Sequence, residues 1–162
     1  MAAPDYRPLV LRKGEERRIR AGHLWVFSNE VDVARTPLTS LSPGEPVQLL
    51  DHAGKRLGSG YANPSTLIAA RLVDRGGGAL DAALFTRRLE AALAMRRRRY
   101  ATPHFRLVFG ESDGLPGLTV ECFGDVVVAQ ATTAGMDRLR DVATEALLSV
   151  LKPSALLWKN DS

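Results

Sequence analysis

Three consecutive glycines, Gly76 to Gly78, constrain the folding of this chain more than any other feature of its sequence. Glycine lacks a Cβ atom and has the widest choice of backbone angles, so a run of three ends both helices and strands. The run lies near the middle of the 162 residues, and each half is long enough for one small domain. We therefore predict a first domain over residues 1–75, a glycine linker over 76–80 and a second domain over 81–162.

Short strand patterns dominate the first half. Aromatic and β-branched residues separated by turn residues are typical of strands, and residues 12–22 between two of them predict a short helix that Gly22 closes. Several short strands at close spacing with one helical insert predict a small β-barrel. The strand candidates are residues 9–11, 23–33, 46–50, 56–62 and 67–73.

Helices and strands alternate in the second half. Asp81 can cap a helix that runs to about Tyr100, because apolar residues recur along it at spacings of three and four. We predict an α+β fold: a small β-pseudobarrel, then an α/β domain with a β-hairpin, two helices and a truncated sheet. The second helix is expected over 135–151, and the strands over 105–109, 118–122, 126–131 and 155–158. Since the last strand candidate lies four residues before the end, we expect the sheet to be incomplete and the chain to be part of a longer protein.

The composition is that of an ordinary globular protein, with 45% hydrophobic and 25% charged residues. No apolar run approaches the length that a membrane span needs, and the single cysteine excludes an internal disulfide. We expect a cytoplasmic protein without a membrane partner. The net charge of +4 favours an anionic partner, although many basic proteins have none.

The positive charge is concentrated in two clusters. The first cluster is interleaved with Glu15 and Glu16, so it is either a solvated helix face or a contact for RNA phosphates. The second cluster is either a solvated helix end, where cations complement the helix dipole, or a contact with RNA phosphates or another domain. The members of the first are Arg12, Lys13, Arg17, Arg18 and Arg20, and those of the second are Arg96, Arg97, Arg98 and Arg99.

Aromatic side chains flank Val26 on one strand candidate. Trp25 and Phe27 alternate with Val26 and share a face, which favours a place in the core over a platform for stacked bases. His23 beside them either binds RNA or caps the turn after Gly22. These alternatives stay open at this stage.

No catalytic, cofactor or metal site is predicted. Glu111 and Asp113 lie in a glycine- and proline-rich segment that favours turn formation over acid–base chemistry. Cys122 lies within a strand candidate and is expected to be a buried, inert thiol. The three histidines have no metal-ligand spacing, and Gly76 to Gly78 match no nucleotide-binding motif.

Four ordered segments of the sequence together suggest a family. They are Leu11-Arg12-Lys13-Gly14, Gly22 to Phe27, Gly110 to Leu118 with Val120 and Gly124-Asp125, and Lys159-Asn160-Asp161. In these segments the chain resembles the bacterial methyltransferases that modify cytosine C5 in large-subunit ribosomal RNA. The resemblance covers nearly the whole chain, and the glycine- and proline-rich block is its most specific part.

The resemblance implies an N-terminal PUA domain that binds RNA, then a central α/β domain. A Rossmann-like domain, which this sequence lacks, would bind S-adenosylmethionine and supply the cysteine nucleophile. The chain would then be an RNA-binding and positioning fragment with structured RNA as partner, foremost 23S rRNA, and with no cofactor of its own. Two alternatives remain: a free-standing PUA-domain protein that binds RNA or ribosomes without catalysis, and a self-association module that forms a homodimer.

Overall fold

The computed structural model describes residues 4–159 and shows a mixed α+β fold in two compact units, Met1–Leu80 and Asp81–Ser162. Each unit is built around a β-sheet of its own. None of the helices in the described range is long and apolar enough to cross a membrane. The predicted fold class is therefore confirmed.

A five-stranded sheet forms the frame of the first unit. The elements of this unit are β1 (Arg7–Val10), α1 (Glu16–Arg20), β2 (Trp25–Phe27), β3 (Pro46–Leu50), β4 (Arg56–Ala62) and β5 (Ile68–Asp74). The strand order is β1-β3-β4-β5-β2, with β1 parallel to β3 and the other neighbours antiparallel. Strands β1 and β2 therefore lie at the two edges of the sheet.

The segments that follow β1 and β2 join these two edges. Leu11 and Val31 form an isolated antiparallel bridge. On one side of it the Arg12 amide donates to the Glu30 carbonyl, and on the other the Asp32 amide donates to the Val10 carbonyl, both at 2.9 Å. Closure of a sheet satisfies backbone groups that an open edge leaves unpaired. The first unit is thus a small pseudobarrel.

The interior of the pseudobarrel is filled by aliphatic side chains from every strand of the sheet. Helix α1 contributes Ile19, which is 2% exposed. The side chains of this core include Leu9, Leu11, Val26, Val31, Val47, Leu49, Ala62, Ala70 and Leu72. Burial of such side chains stabilises a fold by about 1.5 to 3 kcal/mol each relative to exposure.

The predicted strand at residues 23–33 is wrong in its second half, because Ser28–Glu30 forms a 3-10 turn. The Glu30 carboxylate accepts a hydrogen bond from the Phe27 amide at 2.7 Å. This bond from a side chain competes with continued strand pairing and turns the chain toward the bridge at Val31.

Residues after β5 fold back onto the first unit. Gly78 donates its amide to Asp74 Oδ2 at 2.7 Å, and its carbonyl accepts from Ser59 Oγ at 2.6 Å. The Leu80 amide donates to the Tyr6 hydroxyl at 3.0 Å. The segment that contains the three glycines is thus held by hydrogen bonds within the first unit.

The second unit contains a four-stranded sheet in the order β6-β7-β8-β9. The first three strands are antiparallel, and β9 lies parallel to β8. The predicted hairpin is formed by β7 and β8, which turn at Gly124 with a φ of 67°. The elements are α2 (Ala82–Arg99), β6 (His104–Phe109), β7 (Leu118–Phe123), β8 (Val126–Ala131), α3 (Ala134–Arg138), α4 (Arg140–Leu151) and β9 (Ala155–Trp158).

Helix α2 begins at Asp81 as predicted, since the Asp81 side chain accepts from the Leu84 amide at 2.9 Å. The predicted apolar stripe of this helix is buried. The second predicted helix is interrupted at Leu139, whose backbone angles are φ −92° and ψ 11°. Met136 before the break and Leu147 after it are both buried, so the apolar pattern continues across two helices.

Replacing Glu30 by alanine tests the turn that leads into the pseudobarrel closure. The substitution removes the acceptor of the Phe27 amide and the partner of Arg18. We expect Glu30→Ala to lower the free energy of unfolding by about 1 to 2 kcal/mol, mainly through the partly buried Phe27 amide left without its acceptor. The ion pair contributes less because Arg18 is partly exposed.

Chemical denaturation followed by circular dichroism measures this loss. Glu90→Ala, at an exposed position of α2, is the matched control and is expected to leave stability nearly unchanged. Equal stability of the two variants would contradict a structural role for the Glu30 carboxylate.

Candidate nucleic-acid interface

A buried carboxylate organises the surface of the first unit around α1. Glu30 is 6% exposed, and its two carboxylate oxygens have different partners. Oε1 accepts from Arg18 Nη1, and Oε2 accepts from the Phe27 amide. The Arg18 side chain is therefore held in a fixed position between α1 and the end of β2.

Arg18, Phe27 and Trp25 form a continuous line of side chains, which we call the aromatic row. The Arg18 guanidinium carbon lies 4.8 Å from the centre of the Phe27 ring, a cation–π distance. The rings of Phe27 and Trp25 meet edge to face, with centroids 6.5 Å apart and planes at 85°. Trp25 is 40% exposed.

The prediction that Trp25 and Phe27 lie in the core is thus wrong for Trp25, and Phe27 is only half-buried. A strand sends alternate side chains to opposite faces, and on β2 the inward position belongs to Val26, which is fully buried and pairs with Ala70. The two aromatic side chains do alternate with Val26, but they lie on the outer face of β2. The sequence alone does not show which face of β2 points inward, because both faces carry apolar residues.

The other members of the first basic cluster fall into two groups. Arg20 forms an ion pair with the buried Asp51 at 2.7 Å, and Arg12 Nε donates to the Val31 carbonyl at 3.2 Å. Lys13 and Arg17 are exposed, and their side chains have no polar partner among residues 4–159. Lys13 and Arg17 are therefore the cations of this cluster most available to a ligand.

His23 lies in the turn between α1 and β2. Its amide donates to the Arg18 carbonyl at 3.1 Å, and its own carbonyl accepts from Arg75 Nη2 at 3.2 Å. The backbone of His23 thus closes the turn, while its side chain is exposed. An imidazole in this position is accessible to solvent and to a ligand.

The second basic cluster, at the end of α2, is divided in the same way. Arg96 forms an ion pair with Asp113 at 2.7 Å, in which the Arg96 and Asp113 side chains are 15% and 2% exposed. The same carboxylate accepts from the Phe109 amide at 2.7 Å. Arg96 and Asp113 thus hold the loop after β6 in place. The remaining three cations, Arg97, Arg98 and Arg99, are exposed.

A cavity of about 340 Å³ lies beside this helix end in the second unit. Tyr100 and Phe105 stack on each other at its wall, with ring centroids 5.9 Å apart. Arg97 and Lys152 contribute cations to the lining, and Cys122 contributes its thiol. Burial raises the pKa of the Cys122 thiol above its ordinary value.

No cluster of metal-binding side chains occurs in the part of the chain that the structure describes. The three glycines do not form an open loop for a nucleotide either, because Gly77 packs beneath Arg56 and Gly78 is hydrogen-bonded to its own unit. Each unit thus has exposed cations suited to an anionic ligand, and the first unit also carries the aromatic row.

The first unit is similar to a known family of domains. Residues 9–75 match the family model of a PUA-like domain. The first unit therefore contains a PUA-like domain. The matched residues include the bridge at Leu11, the basic helix α1 and all of the strands β2 to β5.

The whole chain is similar to "Ribosomal RNA large subunit methyltransferase I" of two bacteria. It is 36% identical to the Salmonella arizonae protein over 98% of this chain and 40% of that protein. It is 39% identical to the Klebsiella pneumoniae subsp. pneumoniae protein over 94% of this chain and 38% of that protein. The chain thus spans about 40% of the length of these relatives.

Solved structures share the fold. A Streptococcus mutans protein that bears the name of a SAM-dependent methyltransferase superposes with a TM-score of 0.81 at 18% identity. The superposition covers 95% of this chain and 40% of the other. A second methyltransferase structure, in complex with SAH, gives a TM-score of 0.80 at 19% identity. At this identity the likeness establishes the fold alone.

The burial of Cys122 predicts slow chemistry at this thiol. Because alkylation requires the thiolate, a raised pKa and low exposure both reduce the rate. We expect iodoacetamide to modify the folded chain at neutral pH far more slowly than the chain unfolded in guanidinium chloride. Mass spectrometry of timed samples measures both rates, and equal rates would show that the cavity exposes a reactive thiol.

Proposed function

We propose that this chain is the RNA-binding and positioning part of an S-adenosylmethionine-dependent methyltransferase of large-subunit ribosomal RNA. The observation that carries the proposal is the exposure of two cations on the PUA-like unit, Lys13 and Arg17, whose side chains have no polar partner among residues 4–159. The similarity to large-subunit rRNA methyltransferases over nearly the whole chain supports it.

The basic residues would have different roles in this function. Lys13 and Arg17 would contact phosphates directly, since a cation without an internal partner gives up no ion pair when RNA binds. Arg18 and Arg20 are already paired with Glu30 and Asp51, so they would mainly shape the surface. On the second unit, Arg97 to Arg99 would contact RNA phosphates independently, and Arg96 would hold the loop at Asp113.

Methyl transfer itself is assigned to a part of the protein beyond these residues. We propose that the methyl acceptor is cytosine C5 in 23S rRNA and that the methyl donor, S-adenosylmethionine, binds outside this chain. In support, the glycine segment Gly76 to Gly78 is held by hydrogen bonds that join Gly78 to Ser59 and Asp74. The proposed setting is rRNA processing in the cytoplasm. The homodimer stays a prediction.

The salt dependence of RNA binding tests the role of the exposed cations. We expect affinity for a 23S rRNA fragment to fall steeply with salt, because each neutralised phosphate releases counterions. Lys13→Ala or Arg17→Ala is expected to weaken binding and to reduce the slope of log K against log salt by about 1. Filter binding or fluorescence anisotropy over a salt series measures this slope.

Arg138→Ala is the matched control, since it removes the same charge from an exposed position of α3. It is expected to leave the slope unchanged. If all three variants weaken binding equally, RNA responds to net charge and not to a defined surface on the first unit. Absence of salt-dependent binding by the unaltered chain would contradict the proposal as a whole.

The assignment of methyl transfer is tested on the whole gene product. We expect it to transfer a methyl group from S-adenosylmethionine to unmodified large-subunit rRNA, and mass spectrometry of nuclease fragments locates the modified base. The 162-residue chain alone is expected to bind the same RNA without modifying it. Methylation by the chain alone would contradict the proposal that methyl transfer belongs to another part of the protein.

A further inference from the structure

The aromatic row of Arg18, Phe27 and Trp25 has a geometry that the binding of phosphates alone does not require. Phosphate contacts need cations, whereas this row presents the ring system of a tryptophan that is 40% exposed at the edge strand of a sheet. Edge-to-face packing against Phe27 fixes the orientation of the indole. The Phe27 ring is in turn held by the Arg18 guanidinium, and Arg18 by the buried Glu30.

We propose that the aromatic row is a stacking site for one unpaired nucleobase of an RNA strand, with Trp25 as the stacking surface. The inference rests on the proposed RNA-binding function and adds a ligand class to it. The first unit would bind a single-stranded or looped-out nucleotide in addition to the phosphate backbone. Stacking on aromatic side chains is a common way in which proteins bind unpaired bases.

Pre-organisation favours a ligand that stacks. A tryptophan that rotates freely loses side-chain entropy when a base stacks on it. Here part of that loss has already occurred on folding, because Trp25 packs against Phe27 and the row is anchored at Glu30. More of the stacking free energy therefore contributes to affinity.

The charge around the row favours a nucleic acid over an apolar protein partner. Between Arg12 and Arg20 the sequence has five cations and two carboxylates, and the charge of Glu30 is balanced by Arg18. An apolar partner that covered Trp25 and Phe27 would also remove the Arg18 guanidinium, which lies over the Phe27 ring, from water. A polyanion that carries flat bases satisfies both the cations and the indole.

The chain offers an optical reporter for this site. It contains two tryptophans, Trp25 and Trp158, and Trp158 lies in β9 of the second unit, where its indole nitrogen donates to Thr144 Oγ1. In a Trp158→Phe variant of the full chain, tryptophan emission therefore reports on Trp25 alone. The probes are an unstructured RNA strand of about 12 nucleotides and the same strand annealed to its complement.

We expect the single strand to quench Trp25 emission strongly and the duplex to quench it weakly, because paired bases are already stacked. In the native background, Trp25→Ala is expected to reduce affinity for the single strand by about tenfold or more. Trp25→Phe, which retains an aromatic ring, is expected to keep most of the affinity. Phe123→Ala, which removes an exposed aromatic residue from the second unit, is the matched control and is expected to bind as the unaltered chain does.

The outcomes separate this inference from the function on which it rests. If Trp25→Ala binds the single strand as tightly as the unaltered chain while Lys13→Ala and Arg17→Ala bind it less tightly, the stacking site is overturned and RNA binding stands. Emission of Trp25 that responds to neither RNA, although anisotropy shows both bound, assigns the row to another contact and also overturns it. If the unaltered chain binds neither RNA, the proposed function fails together with the inference.

Thermal unfolding of each variant guards against a loss of affinity through misfolding. Trp25 lies on a surface face of β2 opposite the buried Val26, so Trp25→Ala is expected to remain folded. If it does not, Trp25→Leu retains apolar bulk without an aromatic ring. Retention of full affinity by Trp25→Leu would overturn the proposal, and a loss similar to that expected for alanine would support it.

Discussion

The buried carboxylate of Glu30 is the interaction on which the candidate interface depends. Its two oxygens hold the end of β2 and the side chain of Arg18, while its carbonyl accepts from the Arg12 amide next to the bridge that closes the pseudobarrel. A carboxylate this far from water is stable only with charged or hydrogen-bonding partners. One residue therefore links closure of the fold to the position of a surface cation.

In each of the two basic clusters, one or two arginines form ion pairs within the protein. Other cations of the same cluster are exposed. Arg18 and Arg20 are bound to Glu30 and Asp51, and Arg96 is bound to Asp113. The anchored arginines stabilise turns and loops, and the exposed neighbours supply the positive potential. An ion pair within the protein offsets charge locally, so anchoring also sets which part of each cluster presents free charge to a ligand.

Sequence patterns predicted most of the fold because the relevant signals are local. The caps, apolar spacings and turn residues that define α2 and the hairpin of β7 and β8 act over a few positions. The turn at Ser28 to Glu30 was missed because it depends on where a glutamate side chain folds back, and the break at Leu139 because the apolar pattern runs through it. Neither the turn nor the helix break alters the spacing of apolar residues in the sequence.

The candidate site was predicted less well than the fold, for a physical reason. A run of basic residues has the same appearance in the sequence whether its members are paired or exposed, and the deciding partners of the first cluster, Glu30 and Asp51, are 12 and 31 positions from Arg18 and Arg20. Trp25 was assigned to the core because large apolar side chains are usually buried. Single apolar side chains are also common on protein surfaces, so residue type alone does not decide between the two placements. The contacts that orient Trp25 are its packing against Phe27 and the arginine over that ring, and they depend on Glu30, which is 12 positions from Arg18. Such contacts form only in the folded chain, so the position of the indole cannot be predicted from the local sequence pattern.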